Sequence, residues 1–247
     1  LTKQFRTKFG TLTAVDKVSF DIRKGENFGL VGESGSGKST ITKLMAGFWD
    51  ATTGKIFYGG QEIRNIPSDQ LMEHISFVSQ DNFLFNVSIK ENIRMGNPNA
   101  TDEEVIEAAK AARCDEFIRK LEQGYDTLAG DAGGKLSGGE RQRITIARAM
   151  LKSADVVILD EASAYADPEN EVYIEEAIQE LVKNKTLIVV AHRLATIENS
   201  DKIVVVDQGK IVAEGTQTEL MKSSPLYQRL WKETLAGAEQ EGGDNND

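Results

Sequence analysis

Apolar residues along this chain occur in two patterns that predict two kinds of element. Short apolar runs, typical of buried strands, lie at 27–32, 156–159, 186–190 and 203–207. Apolar positions at helical spacing predict helices at 38–48, 140–151, 169–183 and 195–199. Strands that alternate with helices in this way predict an α/β fold with a mainly parallel sheet and helices on both faces.

Weaker patterns predict further elements between these. Val15–Asp21 alternates apolar and polar residues and predicts a strand, and shorter strands are predicted at 55–58 and 75–78. Gly59-Gly60 is typical of a turn. Thr101 precedes three acidic residues, so we expect it to cap a helical region that extends to residue 120.

Composition restricts the classes of function. The chain has 247 residues, 40% of them hydrophobic, which suits one large globular domain. A net charge of −10 without a basic block argues against a nucleic-acid or anionic-lipid surface. The single cysteine, Cys114, is expected to be a small packed residue. Nowhere do about 18 apolar residues follow one another, so no membrane-crossing segment is predicted.

The segment after the first buried run carries the clearest chemical motif. It fits the pattern G-x-x-x-x-G-K-[ST], in which glycines let backbone amides surround phosphate oxygens. The lysine meets the outer phosphates, and the hydroxyl after it ligates Mg²⁺. The predicted nucleotide-binding positions are Gly32, Ser34, Gly35, Ser36, Gly37, Lys38, Ser39 and Thr40.

Two carboxylates follow the apolar run 156–159. Asp160 ends a strand in which a carboxylate has no packing purpose, so we expect it to hold Mg²⁺. Glu161 comes next and is predicted to orient or deprotonate an attacking water. Together with the phosphate loop, these residues predict hydrolysis of a nucleotide.

A third segment indicates which kind of ATPase this is. Ser137, Gly138 and Gly139 precede Glu140 at the start of a predicted helix, where hydroxyl, backbone amides and helix dipole can meet a phosphate. Leu136 to Arg143 reads Leu-Ser-Gly-Gly-Glu-Arg-Gln-Arg, and with the other two motifs it resembles the nucleotide-binding domain of an ABC transporter. The resemblance covers nearly the whole chain.

The resemblance implies a fold and an assembly. The fold is a P-loop NTPase core with a mainly parallel sheet, an N-terminal antiparallel β lobe and a helical signature subdomain. The domain is expected to span 1–237, its helical subdomain about 83–150, and an acidic, disordered tail 238–247. The cofactors implied are ATP and Mg²⁺. Two such domains, either identical or a related pair, would associate head to tail around two ATP molecules, so that residues 137–139 reach ATP bound by the other domain.

Several residues take their roles from the resemblance alone. Gln80 matches the glutamine that contacts Mg²⁺ and the attacking water, and His192 matches the histidine that contacts the γ-phosphate. Asp167 matches a residue of the loop after the catalytic glutamate, although that loop departs from the commonest Ser-Ala-Leu-Asp version. The ring that stacks on adenine is assigned to Phe9, with Phe5 as the alternative.

The subfamily signals differ along the chain. Residues 1–47 resemble ATPases of peptide importers, and the chain from about Phe48 resembles an exporter domain. We therefore favour an exporter-type domain from a longer polypeptide with transmembrane helices, which would place it on the cytoplasmic face of the membrane. An engineered recombination of two halves is the alternative. Residues 83–93, after Gln80, resemble a surface that docks onto a membrane domain.

Two other classes of function compete with transport. An ABC protein acting on ribosomes or DNA would carry two tandem domains or a long coiled coil, whereas this chain has one copy of each motif and no sustained heptads. A small-molecule kinase would use the same phosphate loop but has no need of the segment 137–140.

Overall fold

The computed structural model describes residues 1–79, 81–160, 168–191 and 194–241. The strands are β1 (Lys3–Thr7), β2 (Gly10–Val15), β3 (Asn27–Val31), β4 (Phe57–Tyr58), β5 (Gln61–Glu62), β6 (Ile75–Val78), β7 (Val156–Asp160), β8 (Thr186–Val190), β9 (Lys202–Asp207) and β10 (Lys210–Gly215). The α-helices are α1 (Lys38–Met45), α2 (Ser68–His74), α3 (Ile89–Arg94), α4 (Asp102–Ala111), α5 (Asp115–Lys120), α6 (Gly138–Lys152), α7 (Pro168–Leu181), α8 (Gln217–Ser223) and α9 (Pro225–Glu241). The chain forms two compact units, the first built from residues 1–72 and 186–241 and the second from residues 73–185.

The first unit is organised around β3. This strand pairs in parallel with β8 on one side and with β9 on the other, and β10 extends the sheet antiparallel to β9. Phe28, Leu30 and Val31 are at most 1% exposed, which explains why the strand reads as an unbroken apolar run. The antiparallel pair β1 and β2 forms a two-stranded sheet of its own at the N-terminus, as predicted.

The second unit contains the parallel pair β6 and β7, with Ile75 opposite Val156. Helix α6 lies at its centre and packs against α3, α4 and α7. Ile144, Ile146 and Ala147 of α6 are fully buried, which is the basis of this packing. The central pairings β3–β8, β3–β9 and β6–β7 are all parallel, and the predicted α/β fold class is confirmed.

Close approach of backbones explains one glycine in the second unit. A β-carbon placed on Gly96, just after α3, would lie 2.1 Å from the carbonyl oxygen of Arg148 in α6. No side chain fits at that distance. Gly96 therefore lets the end of α3 lie directly against α6.

Most predicted elements are present, with shifted bounds. The Thr101 cap is confirmed, but the helical region divides into α4 and α5 because Arg113 adopts a positive φ of 57°. The predicted helix at 195–199 is a short 3₁₀ turn, Leu194–Ile197. The predicted strand at 55–58 is confined to β4, and the glycine pair after it forms the β4–β5 turn.

The strand predicted at Val15–Asp21 is wrong. The strand β2 ends at Val15, and Lys17 has a positive φ of 54°, which no strand accommodates. The alternation in the sequence arises from burial instead: Val18 is 2% exposed, and the Phe20 ring stacks on Phe28 at 5.0 Å.

Two further expectations concern single residues and the chain end. Cys114 is fully buried, as predicted for a packed residue.

Helix α9 continues to Glu241, and the rest of the predicted tail, 242–247, lies outside the described residues, so the proposed domain bounds stay a prediction. Within the described ranges, no helix is both long enough and apolar enough to span a bilayer.

Candidate active site

The predicted phosphate loop lies in the first unit, between β3 and α1. Gly35 and Gly37 have positive φ values of 78° and 109°, conformations that glycine adopts without strain. A β-carbon on Gly37 would lie 2.5 Å from the carbonyl oxygen of Ala14, and one on Gly32 would lie 2.1 Å from that of Val206. The loop can therefore follow this path only because glycine occupies these positions.

Lys38 begins α1 and points back into the loop. Its side chain is 5% exposed, and its Nζ donates hydrogen bonds to the carbonyl oxygens of Gly32 (2.7 Å) and Glu33 (2.9 Å). The ammonium group is thus held by backbone atoms inside the loop. A charge in this position can bind phosphate oxygens that enter the cradle.

Hydrogen bonds from distant segments hold the loop in shape. The amide of Ser36 donates to the carbonyl of Glu33 (3.1 Å), and the carbonyl of Ser36 accepts from the amide of Gly209 (2.8 Å). The carbonyl of Gly209 accepts in turn from the amide of Asp16 (2.8 Å). The β9–β10 turn and the end of β2 therefore fix the middle of the phosphate loop.

The other loop residues place polar groups near the start of α1. Ser34 and Gly35 are exposed, whereas Ser39 and Thr40 are half-buried in the first helical turn. The hydroxyl of Ser36 is buried and has no hydrogen-bond partner. No acidic residue lies in the first turn of α1, so its positive end suits an anion.

The signature residues begin α6 in the second unit. The Ser137 hydroxyl accepts from the amide of Glu140 (3.2 Å), and the Glu140 carboxylate accepts from the amide of Ser137 (2.8 Å), which forms a capping box. Gly138 follows the cap, and a β-carbon on Gly139 would lie 2.6 Å from that of Asn170 in α7. Gly139 thus lets α7 lie close against the start of α6, and neither glycine adds a side chain at this helix N-terminus.

Asp160 is the last residue of β7, also in the second unit, and it is 6% exposed. The three residues before it, 157–159, are buried, so the strand carries this carboxylate out of an apolar core. Carboxylate and hydroxyl oxygens are hard ligands that suit Mg²⁺, and the donor chemistry of Asp160 and of Ser39 in the first unit fits that ion.

Two aromatic residues compete for the adenine ring. Phe9 lies in the turn between β1 and β2 and is fully exposed. The Phe5 ring makes an edge contact with Trp49 at 5.1 Å, and the Nζ of Lys3 lies 5.0 Å from its centre. Phe9 thus presents its whole ring to solvent, while Phe5 already packs against Trp49.

Four predicted site residues lie outside the described residues: Gln80, Glu161, Asp167 and His192. Their roles stay predictions. By contrast, the described residues of the phosphate loop, 32–40 without a gap, come together in one cradle in the first unit.

Sequence reasoning missed part of a groove in the second unit. The groove has a volume of about 320 Å³ and is lined by Phe83, Phe85, Met95, Arg148 and Lys152 among others. Phe83 and Phe85 meet edge to face at 5.1 Å. Only the two aromatic residues were in the predicted docking segment, because Arg148 and Lys152 lie on α6; their spacing of four residues on one helix face is the signal that could have found them.

The two cations of the groove are held by backbone groups. The Nε of Arg148 donates to the carbonyl of Asn92 (2.8 Å), and the Nζ of Lys152 donates to that of Ile75 (2.7 Å). Burial lowers the pKa of both Arg148 and Lys152. The groove therefore combines aromatic walls with two fixed positive charges, and Asp81 adds one carboxylate to its lining.

A phosphate loop between a buried parallel strand and a helix places this chain among the P-loop nucleotide-binding proteins. Comparison with known proteins is more specific. The family model described as "ABC transporter" matches residues 15–164, which is more than half of the chain. The chain belongs to the ABC transporter family. Within that family it is an ATP-binding domain, which is an ATPase.

Similar proteins include exporters. "Putative multidrug export ATP-binding/permease protein YgaD" of Bacillus subtilis is 48% identical over 214 residues, which are 87% of this chain and 37% of that protein. The protein of the same description named SAV1866, of Staphylococcus aureus, is 47% identical over the same length, with the same shares covered. The chain thus spans well under half of these relatives.

A solved structure supports the same fold. A bacterial Atm1-family ABC exporter with ATP bound superimposes with a TM-score of 0.83 at 39% sequence identity. The match covers 90% of this chain and 39% of that one. The exporter resemblance predicted from the sequence is thereby confirmed at the level of the family, while the importer-like character of residues 1–47 stays a prediction.

Proposed function

We propose that this chain is the ATP-hydrolysing domain of an ABC exporter. It would pair head to tail with a second such domain around two ATP molecules with Mg²⁺, and closing and reopening of the pair would drive transmembrane domains. The observation that carries this proposal is the glycine-built cradle around Lys38, whose ammonium group lies inside the loop. Export is inferred from the similar proteins, which are described as multidrug export proteins.

Binding of ATP would use groups that are already in place. Lys38 would shift its hydrogen bonds from loop carbonyls to the β- and γ-phosphate oxygens, and the amides of residues 35–40 would surround the same phosphates. Phe9, or alternatively Phe5, would stack on adenine. Ser39, Asp160 and Gln80 would hold Mg²⁺, which neutralises charge that develops on the phosphates.

Hydrolysis would then depend on two residues that follow buried strands. Glu161 would accept a proton from the water whose oxygen attacks the γ-phosphorus, while the bond from that phosphorus to the bridging oxygen breaks and ADP leaves. His192 would contact the γ-phosphate and stabilise its charge. Gln80 would orient the same water.

Each site would be completed by the partner domain. Ser137, Gly138 and Gly139 would meet the γ-phosphate of ATP bound by the other domain, through the hydroxyl and the positive end of α6. Asp167 would lie where the two domains meet. Hydrolysis would therefore require pairing, which couples the chemistry to movement of the attached membrane domains.

The groove of the second unit suits attachment to such a membrane domain. Phe83 and Phe85 are each about half exposed, and Met95 is 41% exposed beside them. Exposed aromatic and methionine side chains in a concave surface are typical of protein interfaces. The domain would accordingly work at the cytoplasmic face of the membrane, docked onto transmembrane helices.

The proposal is tested with the variant Glu161→Gln. We expect this variant to keep nucleotide binding, to lose hydrolysis and to form a dimer when Mg·ATP is added. Size-exclusion chromatography with light scattering, with and without Mg·ATP, measures the dimer, and phosphate release measures hydrolysis. Hydrolysis at the parental rate would contradict the role of Glu161, and a nucleotide-bound monomer would contradict the shared site in the isolated chain.

A further inference from the structure

We infer that Arg229 of helix α9 is a positioning residue for the phosphate loop and that it acts through Glu33. The inference rests on the proposed function, because it concerns nucleotide binding at that loop. A guanidinium nitrogen of Arg229 donates a hydrogen bond to the Glu33 carboxylate, so the last helix of the described chain contacts the second residue of the loop.

Glu33 connects this ion pair to the lysine that binds phosphate. The backbone carbonyl of Glu33 accepts hydrogen bonds from the Nζ of Lys38 (2.9 Å) and from the amide of Ser36 (3.1 Å). A shift of Glu33 would therefore change the position of the Lys38 ammonium. Glu33 therefore links α9 to the phosphate cradle.

The residues of α9 just before Arg229 are held by contacts with the rest of the first unit. Tyr227 is fully buried in a cluster with Val31, Val205 and Leu220, and Val31 immediately precedes the phosphate loop. The next residue, Gln228, donates from its side chain to the carbonyl of Met221 (2.8 Å). Arg229 thus projects from a helix that packs against β3, the strand that leads into the phosphate loop.

Charge gives the contact a second role. Glu33 is the one acidic residue of the loop sequence 32–40, and a carboxylate beside a polyphosphate is repulsive. Arg229 offsets the negative charge of Glu33. The same guanidinium group also pairs with Glu233, whose carboxylate lies 4.0 Å from the Arg229 Nε. Both members of the pair are more than half exposed, so we expect an effect of a few fold that weakens as salt is added.

The test is a double-mutant cycle on binding of Mg·ADP, a nucleotide that the chain does not turn over. Isothermal titration calorimetry should give a Kd for Arg229→Ala about two- to five-fold above the parental value at low salt. Glu33→Gln also loses the ion pair but removes the repulsive carboxylate, so its Kd should lie between those of the parent and Arg229→Ala, and adding Arg229→Ala to it should change nothing further. Arg229→Lys should keep most of the affinity, because it keeps the charge.

Lys232→Ala is the matched control, because it removes another exposed cation from the same helix. It should leave the Kd unchanged. Equal Kd values for the parent and Arg229→Ala would overturn the inference alone, as would a loss that persists in the Glu33→Gln background. A parental chain that binds no Mg·ADP would overturn the nucleotide site itself, so the two failures are distinguishable.

Discussion

Asn92 and Phe85 are joined by two hydrogen bonds that occupy both ends of one side-chain amide. The Asn92 oxygen accepts from the amide of Phe85 (2.9 Å), and its nitrogen donates to the Phe85 carbonyl (2.9 Å). Asn92 is fully buried in α3, so it holds the aromatic wall of the groove from within. The loop that carries Phe83 and Phe85 is therefore shaped by a residue that no partner would touch.

Replacing Asn92 with alanine should destabilise the chain by about 2–3 kcal/mol, because both hydrogen bonds to Phe85 are lost together with three further contacts of the same side chain. Urea unfolding followed by circular dichroism measures the loss. Asn99→Ala is the control, since Asn99 is exposed, and it should stay within about 0.5 kcal/mol. Equal effects of the two changes would contradict the role given to Asn92.

Gly96→Ala should destabilise the second unit by about 1–3 kcal/mol, because its new β-carbon would overlap the Arg148 carbonyl and force α3 away from α6. Gly134→Ala is the comparison: it is exposed, has an ordinary helical φ of −61°, and its β-carbon would lie 3.2 Å from the nearest oxygen. Thermal unfolding should show a clearly larger loss for Gly96→Ala. A harmless Gly96→Ala would mean that the two helices separate at little cost.

Lys38→Ala should raise the Kd for nucleotide about 10- to 100-fold, because a charge-assisted contact to phosphate is lost. Lys43→Ala, on the same helix, is the control: its Nζ lies 5.2 Å from the Trp49 ring and takes no part in the loop. It should bind as the parent does. Unchanged affinity in Lys38→Ala would remove this lysine from the site.

Two capping boxes of the same kind separate stability from function. Ser137→Ala and Thr101→Ala should each cost about 1 kcal/mol, because each removes the hydroxyl that caps a helix. Only Ser137→Ala should also reduce the ATP-dependent dimer, measured by light scattering in the Glu161→Gln background. If both changes weaken the dimer alike, the effect of Ser137 would be one of helix stability alone.

The buried thiol of Cys114 should make stability depend on pH. Burial raises the pKa of this thiol far above its usual range, so the unfolded chain releases the proton first as pH rises. The free energy of unfolding should accordingly fall above about pH 8.5, by up to about 1.4 kcal/mol per pH unit. Comparing the parent with Cys114→Ala between about pH 8.5 and 9.5 isolates this contribution, and identical slopes would contradict it.

Elements with a strong local signal could be predicted, and elements fixed by distant contacts could not. The bounds of β6 and β8 were predicted correctly, because apolar runs buried in a parallel sheet leave a pattern that needs no partner for interpretation. Strand β10 was missed because it lies at the sheet edge, where Lys210, Val212 and Glu214 face solvent. The alternation at 15–21 misled because the buried side chains after Val15 do not belong to a strand.

The candidate site divides in the same way. The sequence predicted the cradle residues of the phosphate loop, because glycine, lysine and hydroxyl at fixed spacing leave few other uses for that stretch. It did not predict Arg229 or Gly209, since their contacts with the loop arise only when the chain folds back on itself. Arg148 was missed although its spacing of four residues from Lys152 on α6 was visible in the sequence.

Gly209 shows how far a nucleotide site extends beyond its motif. Its amide holds Ser36, its φ of 77° suits glycine, and a β-carbon there would lie 2.8 Å from the carbonyl oxygen of Ala14. A larger residue at 209 would disturb the loop without meeting any ligand. Natural or engineered substitutions in this turn should therefore lower the affinity for nucleotide. A list of active-site residues drawn from motifs alone would wrongly treat them as neutral.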